Sequence, residues 1–238
     1  MIYILTTLIY SNKGSEITMT RFDVLGPTHK GLRHGLTKLQ FKASQLDFSD
    51  LTQVNSLLTD LRSMMEILDA HAEGEDKFLF PLLEKVNSVV FGILSEEHSG
   101  LEKVQENLLT ELNAIVQKKE SSDRDELGSH FVKNLNDFIA HYFIHLQTEE
   151  LKAIPELHKA FDDKTLMQAV SKFATVTPPE VSKRFVEFLM PAINPKERVG
   201  FFLGLKGNVP DVVLTNMLST AESVLPKEAF IALTKAIS

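Results

Sequence analysis

Apolar side chains recur three and four residues apart from about residue 27 onward, the spacing of one face of a helix. The clearest run is Leu57, Leu61, Met64, Leu68, His71, Glu75, Phe78 and Leu82, whose steps alternate between four and three. A helix in a four-helix bundle turns such a seam toward its partners. Three more seams obey the same rule: His29, Leu32, Leu36, Leu39, Ala43 and Leu46; Phe91, Leu94, His98, Leu101, Gln105, Leu108 and Leu112; and Phe131, Leu135, Phe138, Tyr142, His145 and Glu149. The first helix is expected from about Pro27, a favoured first-turn residue, to Leu46. The second starts near Ser49 or Asp50, where FSD offers an N-cap, and its seam runs through Leu82. The third spans Val89 to Lys119, and after the polar stretch KKESSDRDE the fourth spans Asp125 to His158. Long helices joined by short links predict an all-α, up-down-up-down four-helix bundle.

After about residue 160 the helical runs shorten and are punctuated by TPPE, MPAINPKE, GNVPD and LPKE, which predicts four or five short helices. These form either a small appended domain or a cover on one end of the bundle. The expected organisation is an N-terminal extension over residues 1–23, the bundle over 24–160 and a helical C-terminal region over 161–238. A fragment ending near Lys159 would hold all four seams and is expected to stand alone. The opening MIYILTTLIY is too short to span a bilayer and lacks the basic flank of a signal peptide. It is expected to be a mobile extension ahead of a second candidate start at Met19, and the expected location is the cytoplasm, away from membranes.

The seams are not wholly apolar. Each carries one histidine, and two add a glutamate four residues later: His29, His71 with Glu75, His98, and His145 with Glu149. A buried imidazole or carboxylate has to be paired, protonated or bound to a metal, because leaving water otherwise costs several kcal/mol. One His–Glu pair is weak evidence. Six such groups in register on four seams point to a dinuclear metal site, in which the carboxylates bridge two cations and the imidazoles cap them. An internal repeat supports this: His29-x-Gly31-Leu32 matches His98-x-Gly100-Leu101, and HAEGEDKFLFPLLEK matches HLQTEELKAIPELHK, with His, Glu, Pro, Leu and Lys at equal spacing. A two-fold repeat of helix pairs sets the inward groups of the halves opposite each other. His34, His130 and His158 lie off the seams. His141, one turn before His145, is a candidate extra ligand or neighbour of a ligand, and Tyr142 a candidate hydroxyl facing whatever the metal binds.

Composition narrows the chemistry. The chain has no cysteine, so thiolate metal sites, iron–sulfur clusters and disulfides are excluded. Its net charge of −7, concentrated ahead of residue 160, argues against nucleic acid as a partner.

The paired HxxxE motifs, each followed by proline, together with the lone histidines of the first and third helices, resemble the hemerythrin-like HHE cation-binding domains over about residues 24 to 160. His29 in THKGLR, His71 and Glu75 in HAEGE, His98 in EEHSGL, and His145 and Glu149 in HLQTEE match the family's ligand positions. The resemblance implies two non-haem iron ions, bridged by the carboxylates and usually by an oxo or hydroxo group. It also implies a protein that binds or senses oxygen, nitric oxide or iron itself. Alternatives are a di-iron enzyme that detoxifies peroxide or nitric oxide, and a metal-stapled interaction module. The chain lacks the cysteine-bearing segment typical of the family's cluster-repair branch, and it has one histidine fewer than the oxygen carriers. A protein partner is expected to engage the C-terminal region.

Overall fold

The computed structural model of the chain describes residues 21–206 and 209–238. The candidate start at Met19 and all but the last three residues of the expected mobile extension lie outside the described residues. Among these the structure is all helical. The bundle helices are α1 (Gly26–Gln45), α2 (Leu51–Gly74), α4 (Val89–Val116) and α5 (Ser121–Thr148), with α3 (Phe80–Lys85) continuing from α2 and α6 (Ile154–Ala160) continuing from α5. Neighbour contacts join α1 to α2, α2 to α4, α4 to α5 and α5 back to α1, which closes a ring of four. Pro27 opens α1, Asp50 caps α2 by accepting from the N–H groups of Thr52 and Gln53, and Ser88 caps α4 through Val90 N–H. The α3–α4 link turns at Asn87, which takes φ 55°, a left-handed conformation that asparagine tolerates.

Two features depart from the sequence expectation. The second and fourth helices do not run on as single α-helices. Each passes through a five-residue π turn, Glu75–Leu79 and Glu149–Ala153, closed by Phe80 N–H donating to Glu75 O and by Ile154 N–H donating to Glu149 O. Pro81 and Pro155 supply the reason: each sits in the first turn of the helix that follows, cannot donate an N–H, and crowds the carbonyl one turn back. The extra residue rotates the seam by one position. Leu79 and Leu83 are fully buried where Phe78 and Leu82 were expected, and those two are only partly covered.

The second departure concerns the boundary near residue 160. The C-terminal region comprises α7 (Asp163–Ser171), α8 (Pro179–Ala192), α9 (Pro195–Leu205), α10 (Asp211–Val224) and α11 (Lys227–Ile237). Leu166, Ala169 and Val170 of α7 belong to one apolar cluster with Val24, Leu25, Leu79, Phe80, Leu83, Val90, Leu94, Ala153 and Leu157. That core crosses residue 160. Helix α8 lies along α1, where Gly31 and Gly35 leave room: a Cβ on Gly31 would come within 2.9 Å of the Phe185 ring, and one on Gly35 within 3.2 Å of Phe188. Gly100, the repeat's counterpart of Gly31, has no such neighbour. The rest of the region has its own core around Phe201, Phe202, Met190 and Ala221. None of the described helices is long and apolar enough to cross a membrane.

Candidate metal centre

Two apolar clusters stack along the bundle. The larger holds Leu32, Leu68, Leu108, Leu135, Phe138, Tyr142 and Leu146; the other is the one shared with α7. All six seam groups fall in the layer between them: His29 between Leu25 and Leu32, His71 and Glu75 between Leu68 and Leu79, His98 past Leu94, and His145 and Glu149 between Tyr142 and Ala153. Glu75 and Glu149 are each the first residue of a π turn, so the widened backbone turn sits at the carboxylate. His29, Glu75 and Glu149 have no exposed surface, and His71 and His145 are almost as deeply buried.

The Nε2 atoms of the four imidazoles converge on the two carboxylates. His29 Nε2 lies 3.3 Å from Glu149 Oε2 and 4.0 Å from Glu75 Oε1; His71 Nε2 lies 3.3 Å from Glu75 Oε2. On the other side His98 Nε2 is 3.6 Å from Glu75 Oε2 and 3.8 Å from Glu149 Oε1, and His145 Nε2 is 3.3 Å from Glu149 Oε1. The groups form two sets, His29, His71, Glu75, Glu149 and Glu75, His98, His145, Glu149, which share both carboxylates. These spacings suit atoms that share a cation, since two ligands at right angles on bonds of about 2.1 Å stand about 3 Å apart.

Three imidazoles are gripped from behind. His29 Nδ1 donates to Glu150 Oε1 at 2.8 Å, His98 Nδ1 to Asp76 Oδ1 at 2.9 Å, and His145 Nδ1 to Glu97 Oε2 at 2.9 Å. Arg33 forks onto both oxygens of Glu150. Burial works against the Glu150 anion, but His29 and Arg33 outweigh it and hold its pKa down to about 2. A carboxylate on Nδ1 fixes the tautomer with Nε2 bare, the arrangement metal-binding histidines adopt.

The consequence is that the structure fits a metal. His98 Nε2 and His145 Nε2 face each other at 3.1 Å, two lone pairs with nothing between them unless a proton or a cation is there. His29 Nε2, His71 Nε2 and all four oxygens of Glu75 and Glu149 are buried without a hydrogen bond. Buried polar groups are rarely left so, and six within one layer is a demand for positive charge. The titration behaviour reports the same demand: burial disfavours a charged His98, yet Asp76, Glu149 and Glu75 push its pKa up to about 12. Burial and the neighbouring Glu149 raise Glu75 to about 7, whereas His145 and His98 hold Glu149 low against its own burial. Without a metal, the layer can only collect protons.

The six seam residues are therefore brought together. His141 is not: it is exposed, and its Nδ1 bonds the Asp137 carbonyl. Tyr142 is buried with its ring 5.7 Å from that of His145, and burial, then Glu75 and Glu149, push its hydroxyl well above its ordinary pKa, so it stays protonated. His34 bonds the Phe188 carbonyl, His158 bonds the Phe22 carbonyl, and His130 is exposed. Sequence reasoning missed Asp76, Glu97, Glu150 and Arg33. A signal existed: Asp76, Glu97 and Glu150 each adjoin one of the six converging groups in sequence, yet each grips the histidine of a different helix. Only the packed bundle reveals that exchange.

Among curated proteins, the chain is similar to the zinc finger protein BRUTUS of Arabidopsis thaliana, 22% identical over 220 residues that cover 88% of this chain. The chain spans only 17% of that relative's length. No solved structure matches it. The model of the hemerythrin HHE cation-binding domain matches residues 20–157, which contain the four long helices and all six converging groups, and the chain belongs to that family.

Proposed function

We propose that this chain is a non-haem di-iron protein whose centre binds a small neutral diatomic, oxygen or nitric oxide, or registers iron itself through its own occupancy. The observation that carries this reading is the pair of ligand sets sharing Glu75 and Glu149, with the Nε2 atoms of His98 and His145 bare and opposed. His29 and His71 would hold one iron and His98 and His145 the other, with both carboxylates common to the two. Such a centre supplies redox-active, Lewis-acidic positions to a small ligand. The surrounding residues suit a neutral guest: leucines and phenylalanines cover the layer from both sides and leave no room for a large or charged substrate. Tyr142, its ring beside that of His145, stays protonated and would offer a neutral hydroxyl rather than an anion.

The C-terminal helices are proposed to report the state of the centre to a protein partner. Helix α7 packs on the π turn that begins with Glu75, and α8 packs on α1 and α2, so movement at the ligands reaches both. The test is metal analysis joined to visible absorption. Reduced, iron-loaded protein under nitrogen is exposed to oxygen, then separately to nitric oxide; a new visible band with either gas is expected. Two irons per chain without any spectral response rejects ligand binding and leaves iron sensing.

A further inference from the structure

His71 is the odd member of the ligand set. Three imidazoles have a carboxylate on Nδ1, but His71 Nδ1 is buried with no hydrogen-bond partner among the described residues. The internal repeat shows what is missing. Glu97, which grips His145, immediately precedes His98; the residue in the equivalent place before His29 is Thr28. Where a glutamate would have reached His71, the structure has a pocket of about 80 Å³. Thr28, Ala70 and His71 wall it from the bundle, and Phe173, Ala174 and Ser182 from the C-terminal region. Phe173 closes tightly over the bundle: its ring is 6.4 Å from that of His71, and a Cβ on Gly74 would meet it at 2.6 Å.

We propose that this pocket binds a small, mostly apolar molecule with one hydrogen-bond acceptor, a short-chain alcohol or carbonyl compound, seated on the Nδ1–H of His71. This rests on the reading that His71 holds metal through Nε2, because that reading puts the ring's proton on Nδ1. Leaving a buried N–H without an acceptor is unfavourable, so the site favours a guest that supplies one. An apolar cavity of about 150 Å³ takes benzene, so half that volume admits about three or four heavy atoms. The walls come from both sides of residue 160, so a guest ties the C-terminal helices to the ligand layer.

The test uses full-length, zinc-loaded protein, which is diamagnetic, with labelled histidine nitrogens and alanine methyls, titrated with 2-propanol and separately with xenon. The expected result is a saturable shift of the Ala70 and Ala174 methyls with both probes, and of the His71 Nδ1–H signal with 2-propanol alone. Thr28→Glu, which restores the fourth carboxylate, is expected to abolish the 2-propanol response while zinc content stays at the wild-type level. A silent pocket, methyl shifts with His71 unmoved, or a response that survives Thr28→Glu each overturns the proposal. Failure to load zinc overturns the metal reading and this site with it; full loading with a silent pocket overturns this site alone.

Discussion

The opposed Nε2 atoms of His98 and His145 set the terms at the scale of single residues. Neither ring can turn its protonated edge inward without abandoning Asp76 or Glu97, so the pair waits for a cation. His71→Ala or Glu149→Ala should therefore lose at least one metal per chain by elemental analysis, while His141→Ala, at an exposed position, should lose none. Glu97→Gln keeps a hydrogen-bond acceptor on His145 but removes its charge; it should weaken metal binding roughly 10–100-fold in competition with a chelator, with the helical signal unchanged. The convergence of the six groups was legible in the sequence because burial and helical spacing both constrain them. Their carboxylate partners were not, because a donor–acceptor pair 48 residues apart, such as His145 with Glu97, leaves no periodic trace.

At the scale of elements, the π turns explain why seam counting worked up to the glutamates and slipped by one beyond Glu75, the one past which the seam was extended. A four–three rhythm assumes a constant helix, and proline placed six residues after each glutamate changes it. The prolines themselves were visible as part of the repeat; the π turn they induce depends on which hydrogen bond yields. The junction of α6 and α7 shows a second long-range device. Arg21 Nε donates to Asp163 Oδ1 at 2.5 Å and its other nitrogens to the His158 and Phe161 carbonyls, while Phe22 N–H donates to Asp163 Oδ2. Partial burial works against the Asp163 anion, but Arg21 and Phe22 win and lower its pKa. A depressed carboxylate stabilises the fold above its unfolded pKa and loses that contribution as pH falls through its folded value. Asp163→Asn should thus cost about 1 kcal/mol at neutral pH, and the gap to wild type should close as pH falls below the ordinary aspartate value of 3.8, read as melting temperature against pH.

Over the whole molecule, helix count and the helical character of the C-terminal region could be read from proline spacing and periodicity, but its attachment could not. Nothing in the local pattern tells Leu166 and Val170 that their neighbours are Leu79 and Leu157. A chain cut after Lys159 keeps all six converging groups, yet it uncovers the cluster around Phe80 and Leu83 and the α1 face at Gly31 and Gly35. Losing Leu166 and Val170 alone removes about 4 kcal/mol of apolar burial. The fragment should melt well below the full chain and self-associate in sedimentation, even with metal supplied.

The layer of six converging groups lies between two separate apolar clusters, so a metal held there would act as a weld between them. With the weld intact the blocks should unfold in one cooperative step; with the metal chelated, mutual repulsion and orphaned polar groups turn the seam into a fracture plane. Amide exchange should then accelerate in residues 80–94 and 153–170 while the helices around Leu57, Leu112 and Phe131 keep their protection, and equal acceleration throughout would show that the molecule has no such plane.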